Sequence, residues 1–457
     1  MKRFHHRVTL LLPALAAVLS ACSFAPVHER PAAPVAAAFP QPGADGGTAA
    51  AELPWADFLA DVRLKALVGL ALKNNRDLRI AALNVEQARA QLGVQRAELW
   101  PTLGAGLSGS RQPTGTAYQL GLQVTAFELD LFGRVKSLSD TALARYFASD
   151  EGRRAVHASL VAGVAAADLA VRADDELLAL TQRTLASRDQ SLRLVKLRFD
   201  GGVAAEPELR SAESLVAAAR VSLAALQRQR SQDLNALVLL LGQPPPADLP
   251  PPAALAAVRL PDLPAGLPSE VLLQRPDVRQ AEQQLVAANA IIGTVRAAFF
   301  PRISLTGNAG FASAQLSGLF DNTAWTFTGQ LLQPLFDAGR NKASLAGAQA
   351  GRAIAIAQYE KTVQTAFREV ADALAGRATL GEQLAAQQAQ ADTEARRLVL
   401  AELLFQGGVA NALERLDAER TTLVARQAVV QLQLAQLQNA VQLYRVLGGG
   451  VPAALPR

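Results

Sequence analysis

A single cysteine, Cys22, occurs in 457 residues, so no disulfide can form within the chain. Aromatic residues make up only 5%, although half of the chain is hydrophobic, and Ala and Leu carry most of that half. So few rings suit long helices packed through small side chains better than a compact enzyme core. Histidine is equally sparse: His5 and His6 fall at the very start of the chain, and His28 and His157 stand far apart. No zinc-ligand spacing, HExxH or P-loop occurs, and the glycine triplet at Gly448 reads as a helix end. Asp174, Asp175 and Glu176 read as a solvated helix face rather than a carboxylate site. No catalytic residue, metal or cofactor is expected, and the chain reads as a non-enzyme.

The pI of about 9.6 is also less informative than it looks. Setting aside Lys2, Arg3 and Arg7 of the N-terminus, 42 of the 45 basic residues face 40 acidic ones. A net charge near +2 gives no phosphate-binding surface, so nucleic acid is not an expected partner.

The opening "MKRFHHRVTLLLPALAAVLSACS" has a basic start, an apolar run from Val8 to Val18 and then small residues. That is a signal peptide over residues 1–21, too short to span a bilayer as a mature helix. An ordinary secretory signal cut after an Ala is one reading. The other rests on "LSAC", Leu19 to Cys22, which resembles the bacterial lipobox cleaved before a lipidated Cys. Lipid on Cys22 also removes a lone thiol from an oxidising compartment. Ser23, rather than Asp, then implies sorting to the outer membrane.

Proline punctuates the rest of the chain. Residues 22–54 hold six prolines and read as an extended tether. None occurs from Thr114 to Glu206, from Glu208 to Gln243 or from Leu335 to Val451, whereas nine crowd residues 244–268. Residues 243–268 therefore read as a linker between halves at 55–242 and 269–450, with 451–457 as a tail.

The halves are copies. "NRDLRIAALNVEQARAQLGVQRAELWP" from Asn75 is echoed 200 positions later by "RPDVRQAEQQLVAANAIIGTVRAAFFP" from Arg275. "LFGR" at Leu131 returns as "LFDAGR" at Leu335, and "FDGGVAAEPELRSAE" at Phe199 as "FQGGVANALERLDAE" at Phe405, now 206 positions on. Each copy begins with a helix that ends near Trp100-Pro101 or Phe300-Pro301. Two alternating segments come next. Leu120, Leu122, Val124 and Ala126 alternate with Gln119, Gly121, Gln123 and Thr125; Ile303, Leu305, Ala309 and Phe311 alternate with Ser304, Thr306, Asn308 and Gly310. Period two predicts strands with one apolar face. "TLGAGLSGS" and "WTFTGQLLQ" give two more, each about nine to eleven residues long. A proline-free helical run from Arg134 to Leu197, and its counterpart from Arg340, comes after each strand pair; its roughly 95 Å is reversed at Gly201-Gly202 and Gly407-Gly408. In the last return helix Leu413, Leu416, Leu423, Val430, Leu434, Leu437, Val441 and Tyr444 keep coiled-coil spacing, with Arg420 and Gln427 in the same seam.

Four strands of this length cannot close a barrel in lipid, where an open edge is forbidden. Two copies of the chain would give eight strands around a filled interior, three would give twelve around a pore. A small soluble sheet covered by helices is the alternative.

"RPDVRQAEQQLVAANAIIGTVRAAFFPRISLTG", "ELDLFGR", "PLFDAGR" and the closing "LYRVLGGG" resemble the outer-membrane factors of tripartite efflux systems, within them the TolC-like NodT-type lipoproteins. The resemblance runs from Cys22 to about Gly450. It implies an α+β membrane protein: a homotrimer with a 12-stranded outer-membrane β-barrel, four strands per chain, continued by a long periplasmic α-helical barrel. It further implies passive conduction of drugs or other toxic small molecules from an inner-membrane pump, of the RND type, bridged by a periplasmic adaptor. By the same resemblance Leu413 forms an apolar constriction, Asp417 and Arg420 an ion-pair network that holds the periplasmic aperture closed, and Gly201, Gly202, Gly407 and Gly408 meet the adaptor. Gln119 and Gln123 would line the pore. Ordinary coiled-coil charges are the bland reading of Asp417 and Arg420. A type I protein-secretion duct and a structural coiled-coil envelope lipoprotein are the competing functions; the lipobox speaks against the first and the strands against the second.

Overall fold

The computed structural model describes residues 24–41, 49–264 and 269–451. Residues 1–23, which hold the expected signal peptide and Cys22, and residues 452–457 lie outside the described residues.

Each half of the chain builds the same series. In the first, α1 (Trp55–Phe58) and α2 (Val62–Asn74) precede α3 (Arg76–Ala97), β1 (Leu103–Gln112), β2 (Gly115–Leu129), α4 (Arg134–Asp200) and α5 (Glu206–Leu241). In the second come α6 (Pro276–Ala297), β3 (Arg302–Ser313), β4 (Thr323–Leu332), α7 (Arg340–Gln406) and α8 (Ala412–Val446). Helices α4 and α7 are both 67 residues long. Proline-free, Ala-rich sequence allows that length, and glycine ends it. Gly202 and Gly408 take the left-handed conformation at φ 71° and 73°. The Val203 and Val409 amides then donate back to the Arg198 and Leu404 carbonyls at 2.7 and 2.9 Å, a Schellman closure at both reversals. The return helix α8 opens on Asn411, whose side chain accepts from the Glu414 amide at 2.9 Å.

The strands form one antiparallel sheet in the order β1-β2-β3-β4. Its register sorts side chains by polarity. Leu107 pairs with Leu120 and Leu120 with Phe311, while Ala309 pairs with Trp325 and Gly307 with Phe327. Leu107, Trp325 and Phe327 are 66, 78 and 67% exposed, so the apolar face is uncovered in the single chain. The other face carries Gln119, Gln123, Asn308 and Thr326. One expectation needs correction. Strict alternation put Ala126 with the apolar set and would have turned Glu128 the same way. Instead the ladder shifts between Val124 and Phe127, with Ala126 at φ 50°. The bulge returns Phe127 and Leu129 to the apolar face and turns Glu128 away from it. At 15 residues, β2 is also longer than the alternation alone suggested.

The chain forms two compact units that cut across the repeats. One comprises Met1–Pro34, Ala81–Arg153 and Asp277–Val363, and includes the sheet. Here the tether's start is docked: the Phe24 ring stacks on Phe300 at 4.6 Å, and Arg30 grips Glu282 at 2.8 and 3.0 Å. The other comprises Val35–Ile80, Arg154–Pro276 and Gln364–Arg457. Its core includes Phe58 and Tyr444, stacked at 4.0 Å and almost fully buried, with the Tyr444 hydroxyl donating to the Leu53 carbonyl at 2.5 Å.

Candidate functional site

Near the second reversal, α7 and α8 carry charges that meet across the hairpin. Asp417 sits between two arginines: Arg420, one turn on, donates to Oδ1 at 2.8 Å, and Arg397 of α7 to Oδ2 at 2.7 Å. Arg397 also donates to Glu394 at 3.1 Å, and the Thr421 hydroxyl closes the set on Glu394 at 2.7 Å. Hydrogen bonds from Arg420 and then Arg397 hold the Asp417 carboxyl below the usual carboxylate range. The network lies at the surface, with Arg420 61% and Asp417 38% exposed.

Leu413 is 68% exposed, so at the tip the predicted seam is not covered within the chain. Further along α8 the same seam does bury Leu416, Val441 and Tyr444. Beneath the surface network is a second, buried pair. Arg188 of α4 approaches Glu419 at 3.4 Å with side chains 5 and 10% exposed, and donates to the Leu215 carbonyl at 3.0 Å. Burial pushes the Glu419 carboxyl up despite the facing arginines Arg188 and Arg415.

Gly201, Gly202, Gly407 and Gly408 are all exposed at the reversals. Val203 and Val409 beside them are 72 and 79% exposed. Two arginines, Arg198 and Arg415, lie over the Phe405 ring at 5.6 and 5.3 Å. Both histidines among the described residues are used in packing: His157 Nδ1 meets the Gly450 carbonyl at 2.9 Å, and His28 lies 3.5 Å from Glu282. Among the described residues no cluster of His, Cys, Asp or Glu could hold a metal ion.

The acidic run on α4 departs from its expected solvated role. Asp174 is 6% exposed, and burial, followed by the Asp233 carboxyl, raises it to about 7. Asp175 pairs with Arg230, and Glu176 accepts the Leu255 amide at 2.8 Å. These carboxylates hold α5 and the linker to α4, which a helix wheel of α4 alone does not reveal.

Arg397 is the member that spacing along the sequence misses. Twenty residues before Asp417 and on a different helix, it shares no seam with it. The repeat itself contains a usable signal. Glu394, Arg397, Asp417 and Arg420 stand where the first copy, 206 positions earlier, has Arg188, Ser191, Ser211 and Ser214. Three of the four second-copy charges replace serines.

The fold and the sequence both find matches among known proteins. The profile of the family described as outer membrane efflux protein matches residues 67–243 and again 267–449. The chain belongs to the outer membrane efflux protein family. This efflux protein is 46% identical over 453 residues to the Pseudomonas putida solvent efflux pump outer membrane protein SrpC, covering 95% of this chain and 96% of that one. It is 44% identical to the Pseudomonas aeruginosa outer membrane protein OprJ over 97 and 95% of the two chains. Among solved structures, the open state of the Neisseria gonorrhoeae MtrE outer membrane channel superposes with a TM-score of 0.88 at 40% identity, covering 94% of this chain and 98% of that one. CusC does so at 0.85 and 38% identity, over 94 and 100%. The protein is thus an outer-membrane channel protein of efflux, with the α+β fold of these channels, and its family is not one of enzymes.

Proposed function

We propose that the chain trimerises into the exit duct of a tripartite pump, anchored by lipid on Cys22 and gated at the second-copy hairpin. The sheet carries this reading. β1 and β4 each have a strand neighbour on one side only, and one broad face is apolar and exposed. In lipid such a sheet closes only by joining copies of itself, and three copies give twelve strands around a polar lumen lined by residues such as Gln119 and Gln123. The interior then conducts passively, and selection belongs to the inner-membrane pump. Solvents and antibiotics, named for the relatives' pumps, are the substrate class. An RND-type pump and a periplasmic adaptor are the partners, the adaptor meeting the apolar tips at Gly201-Gly202 and Gly407-Gly408.

Closure is assigned to the tip of α7 and α8. Asp417 is held to Arg397 of α7 and to Arg420, so the charge network fixes one hairpin's shape while the exposed Leu413 remains for neighbouring copies. Breaking the network frees α8 to swing outward. Single-channel conductance in planar bilayers tests the proposal on wild type and on Asp417→Ala with Arg420→Ala. A small wild-type conductance that rises in the double variant is expected. Equal conductance in both moves the gate away from these residues, and none in either removes the duct.

A further inference from the structure

At the helix-side end of the sheet, the two copies use different residues at equivalent places. Glu128, at the end of β2, accepts from Arg134 at 2.7 and 2.8 Å and also meets Arg302 of β3 at 2.5 Å. Arg134 begins α4. It lines a cavity with Glu128, Ala297 and Ala298, which Arg340 also borders, and the charge of Glu98, just beyond α3, acts on it too. Because α3 leads into β1, β2 into α4 and α6 into β3, the strand order puts the start of α4 between the ends of α3 and α6.

In the second copy Arg340 replaces Arg134, but Leu332 stands for Glu128, and no carboxylate remains on the strand. The start of α7 is fastened to the end of α6 on one side: Asn341 donates to the Ala298 carbonyl and Gln333 to the Phe299 carbonyl, both at 3.2 Å. On the other side is the unpaired edge of β4. Among the described residues the Arg340 guanidinium has neither hydrogen bond nor ion pair, and the same is true of the Glu98 carboxylate. Glu98 itself is exposed and belongs to the first copy only, since its second-copy counterpart is Ala298.

The sequence of helix ends around the sheet is thus α3, α4, α6, α7. One more step of the same progression, past the edge of β4, reaches an α3 that the chain does not contain. We infer that Arg340 pairs with Glu98 of the partner subunit, sealing the junction between β4 of one subunit and β1 of the next. Each junction then has one carboxylate for its helix-start arginine: Glu128 on the strand inside a subunit, Glu98 beyond the helix between subunits. The contact is head-to-tail, and closing a ring satisfies every copy of it. The inference rests on the trimeric reading above and adds the residues that define its seam.

The test combines native mass with crosslinking. In Glu98→Cys plus Arg340→Cys, a short bis-maleimide should give covalent dimers and trimers that wild type and each single variant do not, the wild type also controlling for Cys22. A trimeric mass without those bands overturns the pairing and leaves the trimer standing. A monomeric mass overturns both, and a crosslink confined to one chain overturns the pairing. Charge coupling gives a second readout on the uncrosslinked trimer. Arg340→Glu should lower its dissociation temperature more than Arg340→Gln, and Glu98→Gln should recover the difference. An unchanged dissociation temperature in Arg340→Glu refutes the contact.

Discussion

Arg172→Met is the perturbation whose size comes most directly from the packing. The Arg172 side chain is 2% exposed. Its guanidinium donates to Asp168 at 2.7 Å, to both oxygens of Asp61 at 2.8 and 3.2 Å, and to the Ala253 carbonyl of the linker at 3.3 Å. Asp61 is meanwhile the N-cap of α2, accepting the Leu64 amide at 2.9 Å. Methionine keeps much of the stem and removes every donor. Asp168, itself 2% exposed, would then retain only Arg63 at 3.3 Å. Removing one partner of a buried ion pair costs about 3–5 kcal/mol, chiefly because a charge is left unpaired. An apolar replacement of the whole group is far milder by the same reasoning. Arg172→Met with Asp168→Leu and Asp61→Asn, which preserves the cap, should recover most of the loss. Urea unfolding in detergent, followed by helical circular dichroism at constant m, reads both variants. The same group predicts an acid limb. Burial alone would raise Asp61, but the Arg172 hydrogen bond and the Leu64 amide hold it below its ordinary value. The native state then binds fewer protons than the unfolded one, so this stability is present above about pH 4 and is lost as pH falls through the depressed value. A loss below about 1 kcal/mol in Arg172→Met would refute the argument that the linker is held by charge.

Three further outcomes are expected. Asp174, raised to about 7, binds a proton in the native state that the unfolded chain releases near pH 4; stability should decline from about pH 4 to 7 and then level off, and Asp174→Asn should remove the decline and stabilise above pH 7 in the same urea assay. A Cβ on Gly310 would lie 2.1 Å from the Leu120 carbonyl oxygen, so Gly310→Ala should abolish heat-stable oligomers in outer-membrane fractions; at Gly307 the nearest atom is 3.9 Å away, and Gly307→Ala should assemble normally. Tyr444→Phe should lose about 0.5–1.5 kcal/mol for the hydroxyl that reaches Leu53, against about 3–5 for Tyr444→Ala, which also empties the stack on Phe58; equal losses in urea unfolding would mean the ring is not what holds α8 to α1.

Much of this architecture can be read without coordinates because its signals are local. Proline gaps mark α4, α5, α7 and α8, paired glycines mark the reversals, and alternation marks the strands. What escaped involves two elements at once. The bulge at Ala126 depends on keeping Glu128 off the apolar face, and a period of two counted along β2 alone passes straight over it. Asp174 looks solvated on a wheel of α4, and only the approach of α5 makes it buried. Leu413 and Arg420 share one seam of α8 and Asp417 lies on the same helix, whereas Arg397 lies across the hairpin, where spacing conveys nothing. Their assignment to an aperture came from family resemblance and stays a proposal until conductance is measured.

The duplication gives these exceptions a common origin. Two copies of one strand-and-hairpin unit would make all six units of a trimer alike, with no distinction between a hairpin that moves and one that stays. Divergence between the copies breaks that equivalence at two levels. At the tip, Ser191, Ser211 and Ser214 of the first copy correspond to Arg397, Asp417 and Arg420 of the second, so the Asp417 network belongs to the second copy only, while the first hairpin is bridged instead by Arg220 and Asp189 at 3.3 Å. At the sheet, Glu128 and Ala298 serve the junction inside the chain, while Leu332 and Glu98 move the carboxylate to the junction between chains. If charge at these positions were mere surface decoration, placing Asp417, Arg420 and Arg397 at Ser211, Ser214 and Ser191 should leave conductance untouched. If this particular network locks whichever hairpin carries it, the same transplant should hold the duct closed even when an adaptor opens the wild type.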